Sequence, residues 1–110
     1  MLYDNTYVNI DLDAILANFE AVRSKTKAPV MAIIKADAYG HGIRPVVGTL
    51  LGEGCRFFAV ACLEEAVALR RLLRELTTDS ASESDRSRDA ETDILVLGFT
   101  DPANAPILSD

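Results

Sequence analysis

The sequence predicts an α/β fold in which about three strand-and-helix units share a parallel sheet. Three short apolar runs are spaced along the chain, at residues 30–34, 56–61 and 93–97. The first is continuous and rich in β-branched side chains, which is typical of a strand covered on both faces. The first two runs are each followed by a stretch with helical periodicity, the alternation expected of a parallel α/β fold.

The amino-terminal segment is predicted to form a half-buried strand and then a helix. Residues 6–10 alternate, with Tyr7 and Val8 directed to opposite faces. Asp11 or Asp13 is suited to cap the helix that follows. The helix is indicated by an apolar stripe of Leu12, Ile15, Leu16, Phe19 and Val22.

The run at residues 30–34 is predicted to deliver Lys35 to a loop of small residues. Ala36 and Ala38 leave the lysine uncrowded, and glycines at 40 and 42 permit backbone geometries that other residues avoid. In parallel α/β folds the carboxyl ends of the strands carry ligands and catalytic groups. A lysine held there as a neutral amine can attack a carbonyl group. The alternative is a solvated lysine whose surface partner is Asp37.

A second helix is predicted after this loop, from an apolar stripe of Ile43, Val46, Val47, Leu50 and Leu51. Its amino terminus falls near His41 and Gly42, where backbone N–H groups are candidates for binding an anion. His41 is the only histidine. A multi-histidine metal site is therefore excluded within this chain, and we interpret His41 as a structural donor that fixes the loop rather than as a catalytic base.

The third helix is predicted over residues 63–76, and its amino terminus departs from the usual pattern. Cys62 stands where a serine or threonine would form a capping box with Glu65, so we expect a weak cap. Residues 77–91 are acidic and rich in serine without an apolar period, which predicts a disordered insertion. Asp101 and Pro102 mark the expected start of a fourth helix.

Composition limits the classes of function. The length of 110 residues suits one small domain and is well below the roughly 250 residues of a closed eight-stranded barrel. A formal charge of −6 argues against nucleic acid and anionic membranes as partners. Without an apolar run of membrane-spanning length or a signal sequence, a cytoplasmic location is predicted. Cys55 and Cys62 are interpreted as thiols, not as a disulfide or a metal site.

A family resemblance rests on residues 34–42, which read Ile-Lys-Ala-Asp-Ala-Tyr-Gly-His-Gly. This run resembles the pyridoxal phosphate attachment motif of bacterial alanine racemases, and the segments at 9–15, 58–66 and 94–98 resemble the family's flanking elements. The resemblance covers nearly the whole chain but only the first part of the family's sequence. It implies that residues 1–110 are the amino-terminal fragment of a TIM (β/α)8 barrel domain. Residues 1–11 would be a strand arm that pairs with a carboxyl-terminal domain.

The same resemblance implies roles for two residues. Lys35 would bind pyridoxal 5'-phosphate as a Schiff base and serve as one of two bases that move the α-proton of alanine. The hydroxyl of Tyr39 would bind the cofactor phosphate. The second base of the family is a tyrosine from the other subunit, which no residue here matches. A homodimer of the complete protein, or a second chain that supplies the missing half, is therefore expected.

The implied activity is the interconversion of L-alanine and D-alanine, which supplies D-alanine for peptidoglycan. One alternative is a catalytically silent α/β module that at most binds pyridoxal phosphate or a partner. Another is a racemase that acts on serine or on a broader set of amino acids. Decarboxylases with the same barrel are disfavoured because their lysine loop lacks the Tyr-Gly-His-Gly ending.

Overall fold

A computed structural model describes residues 7–78 and 92–109 of the chain. Its elements are α1 (Leu12–Arg23), β1 (Ala32–Ile33), α2 (Lys35–Tyr39), α3 (Ile43–Gly52), β2 (Phe57–Val60), α4 (Leu63–Thr78), β3 (Asp93–Val96) and a 3₁₀ helix (Pro102–Ser109). The three strands form one parallel sheet in the order β1-β2-β3. The predicted α/β fold with a parallel sheet is therefore confirmed.

The strand register brings the carboxyl ends of the strands to one edge of the sheet. Ile33 pairs with Ala59 on one side of the central strand, and Val60 pairs with Val96 on the other. Backbone hydrogen bonds continue past the strand ends, from the N–H of Ile34 to the Ala59 oxygen at 2.9 Å and from the N–H of Leu97 to the Val60 oxygen at 2.8 Å. This edge carries the start of the lysine loop.

The helices cover one face of the sheet. Phe58 and Val60 of β2 are fully buried on this face, in one core with Leu69 and Leu73 of α4. On the opposite face, Ile33 remains 43% exposed. The prediction that the first strand is covered on both faces is therefore wrong for this residue, because among the described elements no layer packs against the second face.

The first helix begins as predicted, but the described residues before it, 7–11, form no strand. The Asp11 carboxylate accepts a hydrogen bond from the N–H of Ala14 at 3.1 Å and caps α1. Residues 7–11 belong to no strand, and Tyr7 and Val8 are exposed. The predicted strand is absent from these residues because no described strand lies beside them to supply hydrogen bonds. Residues 1–6 of the arm lie outside the described residues.

The third predicted helix runs two residues further than expected. α4 ends at Thr78. In its last turn, the buried Thr77 donates its hydroxyl to the Leu73 oxygen at 3.0 Å. The predicted insertion at 77–91 is therefore wrong for its first two residues, and residues 79–91 lie outside the described part of the chain.

The predicted fourth helix is a 3₁₀ helix. The Asp101 carboxylate accepts a hydrogen bond from the N–H of Ala103 at 2.9 Å, as expected for a cap. Pro106 lies inside the segment and has no N–H for an α-helical hydrogen bond. Within residues 7–78 and 92–109, no helix combines the length and apolarity needed to cross a membrane.

Candidate active site

Lys35 lies directly after β1, at the edge of the sheet where the parallel strands end. Its side chain is half-buried, and its Nζ lies 5.9 Å from the centre of the Tyr39 ring. Tyr39 is 57% exposed. No carboxylate among residues 7–78 and 92–109 lies within ion-pair distance of the Lys35 amine. The structure thus brings the two predicted cofactor residues together and leaves the amine without an acidic partner in the described chain.

The backbone after Lys35, over the range given above as α2, is a left-handed turn and not a right-handed α-helix. Residues 36–39 have φ values between +53° and +57°, and Gly40 and Gly42 follow with +83° and +90°. A left-handed conformation costs an L-residue other than glycine roughly 1–2 kcal/mol. The sequence predicted unusual geometry at the glycines but not at the four residues before them. Strain of this kind persists only where surrounding contacts hold it.

Two side chains of the loop hold this turn locally. The Asp37 carboxylate accepts a hydrogen bond from the backbone N–H of Ile43 at 2.8 Å, and His41 Nδ1 lies 2.8 Å from the Ala38 oxygen. The second contact agrees with the interpretation of His41 as a structural donor. Asp37 caps α3 and does not pair with Lys35, so the alternative of a Lys35–Asp37 surface pair is wrong. The N–H of Ile43, at the start of α3, already binds this carboxylate. The prediction that the start of α3 binds an anion is therefore wrong for this N–H group.

A third side chain reaches the turn from the next βα unit. Glu65, in the first turn of α4, accepts a hydrogen bond from the N–H of Ala36 at 2.8 Å through one carboxylate oxygen. Its other oxygen accepts one from the N–H of Ala61 at 2.7 Å. Glu65 thus binds the N–H of Ala61, one residue before Cys62, where only a weak cap was expected. The sequence predicted a role for Glu65 only in capping α4. Its position in the first helical turn after β2 was the available signal that it lies near the strand ends.

The second and third strands approach each other closely at the same edge. The N–H of Gly98 donates to the Ala61 oxygen at 2.9 Å, and a Cβ on Gly98 would lie 2.4 Å from that oxygen. Any larger residue would push the strand ends apart. The backbone at this edge is therefore closely packed beside the turn that carries Lys35.

Comparison with known proteins assigns the chain to a family. A family model described as "Alanine racemase, N-terminal domain" matches residues 10–110. The chain belongs to this family. The domain is the start of a TIM barrel, so the predicted fold class, the first βα units of a (β/α)8 barrel, is confirmed.

Individual alanine racemases match over most of this chain. The one from Anoxybacillus flavithermus is 37% identical over 107 residues, which cover 96% of this chain and 24% of that protein. The one from Geobacillus stearothermophilus is 38% identical over 105 residues, covering 94% and 23%. The one from Marinobacter nauticus is 53% identical over 66 residues, covering 59% and 18%. The chain thus spans about a quarter or less of the length of these relatives.

A solved structure shares the fold. It is a histidine racemase from Leuconostoc mesenteroides subsp. sake, with a TM-score of 0.64 and 27% sequence identity. The match covers 87% of this chain and 22% of that one. The fold around Lys35 therefore occurs in racemases that are named for different amino acids.

Proposed function

We propose that this chain is the amino-terminal part of a cytoplasmic alanine racemase that uses pyridoxal phosphate, and that Lys35 binds the cofactor. The observation that carries the proposal is the position of the Lys35 amine. It lies at the carboxyl edge of a parallel sheet, next to Tyr39 and without an acidic partner among the described residues. The relatives that match over nearly the whole chain are named alanine racemases, so the proposed product is D-alanine for peptidoglycan.

The chain's own residues suit this chemistry. The Lys35 amine would hold the cofactor through its aldehyde group, because a neutral lysine amine is the nucleophile that such a link requires. Pyridoxal phosphate, when bound, supplies an electron sink for the pair left on the substrate's α-carbon. Lys35 Nζ takes up and returns the α-proton on one side of the substrate. The exposed Tyr39 hydroxyl would donate a hydrogen bond to the cofactor's phosphate.

Racemisation needs a second base on the opposite side of the substrate. In the resembling family this is a tyrosine of the other subunit, and no residue of this chain matches it. The proposal therefore includes a homodimer of the complete protein or a second chain that supplies the missing half. A silent module that binds the cofactor without turnover is the alternative if no such partner joins.

One observation favours a second candidate for the substrate. The histidine racemase of similar fold carries a name with a different substrate. A racemase for serine, histidine or a broader set of amino acids is therefore the second candidate. Chiral chromatography of alanine, serine and histidine after incubation with the natural gene product distinguishes these. The proposal expects D-alanine as the main product.

The role of Lys35 is tested by trapping. The chain is incubated with pyridoxal phosphate, reduced with borohydride, digested and mapped by mass spectrometry. We expect modification at Lys35, with Lys25 and Lys27, which are exposed, as internal controls. The variant Lys35→Arg keeps the positive charge but cannot be trapped, and should lose both the label and any racemisation. Equal labelling of all three lysines would contradict a preformed site.

A further inference from the structure

We infer that Glu65 is a positioning residue that fixes the Lys35 turn to the sheet, an inference that rests on the proposed role of Lys35. Its carboxylate accepts hydrogen bonds from the N–H groups of Ala36 at 2.8 Å and Ala61 at 2.7 Å. Ala36 is joined to Lys35 by a single peptide bond. Ala61 follows the last residue of β2. One side chain thus connects the ends of two neighbouring strands at the point where the amine emerges.

The chemistry of this contact requires a carboxylate. Both backbone partners are donors, and an ionised carboxylate has one acceptor oxygen for each. An amide in the same place has a single acceptor oxygen and would direct its NH2 group toward the second donor. Hydrogen bonds from N–H groups to an ionised acceptor are also roughly twice as strong as neutral ones. Glu65 therefore offers one acceptor oxygen to each of its two N–H donors, and its negative charge strengthens both hydrogen bonds.

The location of Glu65 separates it from the other side chains that hold the turn. Asp37 and His41 belong to the loop itself, and their partners lie within residues 38–43. These contacts set the shape of the left-handed turn. Among the described hydrogen bonds of residues 35–42, the one from Ala36 to Glu65 joins the turn to a different βα unit. Glu65 therefore sets where the turn lies relative to the sheet, and with it the origin of the Lys35 side chain.

Glu64 provides a matched control. It is the neighbouring residue in the first turn of α4, exposed to solvent. The pKa of Glu64 is lowered by a hydrogen bond from its own backbone N–H, and further by one from Cys62. Its contacts thus stay within its own helix start. The variants E64Q and E65Q remove the same charge from the same helix terminus, so their effects on the helix dipole are matched.

Two readouts test the inference in the full chain. The first is backbone amide hydrogen exchange of Ala36 and Ala61, measured by NMR without cofactor. In E65Q at least one of the two should exchange roughly tenfold faster or more, because the amide offers a single acceptor oxygen and a hydrogen bond to a charged group is lost, while E64Q leaves both unchanged. The second is the ratio of Lys35 to Lys25 labelling with pyridoxal phosphate and borohydride. This ratio should fall in E65Q at an unchanged far-UV circular dichroism spectrum, which a purely structural role would not produce.

The outcomes separate this inference from the proposed function. Unchanged exchange at both Ala36 and Ala61, together with an unchanged labelling ratio in E65Q, would overturn the role of Glu65, even if wild-type Lys35 is labelled selectively. Unselective labelling of the wild type would instead overturn the role of Lys35, and with it Glu65 as a positioning residue. If E65Q does not fold, E65D keeps the charge but shortens the reach. E65D should then show faster exchange at Ala36 or Ala61 and a lower labelling ratio than the wild type, and wild-type values in E65D would contradict the inference.

Discussion

The carboxylate of Asp37 lies 2.8 Å from the backbone nitrogen of Ile43 and caps the helix that follows the lysine turn. Asp37 itself has a φ of +56°. Gly42 is the N-cap residue of α3 and has no side chain to offer. Aspartate and asparagine are among the few residues that tolerate positive φ and can also accept a capping hydrogen bond. Asp37 therefore both tolerates the positive φ of the turn and supplies the cap of α3.

The cap predicts different effects for two substitutions of Asp37. Asp37→Ala should lower the free energy of unfolding by about 1 kcal/mol, the usual cost of losing a cap. Asp37→Asn should cost less, because its carbonyl oxygen still accepts the hydrogen bond and asparagine also tolerates this backbone. Urea unfolding of the two variants measures the difference. A loss near zero in Asp37→Ala would show that the cap contributes nothing.

The left-handed turn predicts sensitivity to side-chain branching at Ala36. Ala36 has a φ of +53°, where a β-branched residue is strongly disfavoured. Ala36→Val should therefore cost roughly 1–2 kcal/mol of stability. The control is Ala68→Val at an exposed position of α4, where about 0.5 kcal/mol is expected from helix propensity. Guanidinium unfolding compares the two, and a smaller cost at Ala36 than at Ala68 would contradict the left-handed turn.

Two glycines should respond to alanine in opposite directions. A Cβ on Gly98 would lie 2.4 Å from the Ala61 oxygen, so Gly98→Ala should cost roughly 1–3 kcal/mol as the strand ends are forced apart. Gly48 lies inside α3 with nothing within 4 Å of the position of its Cβ, so Gly48→Ala should gain up to about 1 kcal/mol. Thermal unfolding midpoints should shift down and up respectively. A neutral Gly98→Ala would contradict the close approach.

The two thiols should differ in reactivity. Cys55 is buried and lies 3.5 Å from the Phe57 oxygen, whereas Cys62 is partly exposed. Burial raises the pKa of the Cys55 thiol. Because the thiolate is the nucleophile, iodoacetamide should modify Cys62 well before Cys55 in the folded chain. Peptide mapping at short reaction times tests this, and equal rates would contradict the burial of Cys55.

The raised pKa of Cys55 also predicts a loss of stability at alkaline pH. The folded chain holds this proton to higher pH than the unfolded chain does. The contribution of the Cys55 thiol to the free energy of unfolding is therefore complete below the ordinary thiol pKa of about 8.5 and is lost as the pH rises above it. Urea unfolding across this range measures the slope, and Cys55→Ala should reduce it. An unchanged slope in the variant would assign the effect to other groups.

Much of the fold could be predicted because its signals are local. The apolar stripe that places Val47 and Leu50 in the core follows from helical periodicity, and the Asp11 cap follows from residue type and position. The position of Lys35 after the first strand follows from the end of an apolar run. The role of Lys35 and of Tyr39 toward a cofactor stays a prediction.

The rest depends on contacts between segments distant in the sequence. Alanine and tyrosine prefer right-handed conformations, so apart from Asp37 nothing local at residues 36–39 indicates a left-handed turn. The contact from Glu65 to Ala36 crosses 29 residues of chain and exists only once two βα units have packed. The exposure of Ile33 likewise depends on which face of the sheet the helices cover. Sequence patterns identify elements, but these features arise from how the elements meet.

The order of the strands in the sheet is the order in which a ribosome makes them. Each new strand joins the open side of the strand before it, and none has to be inserted between two that are already paired. β2 can therefore settle on β1 while β3 is still being synthesised, and the Ala36–Glu65 contact can close before Gly98 emerges. The turn that carries Lys35 can thus be held in place early in the life of the nascent chain.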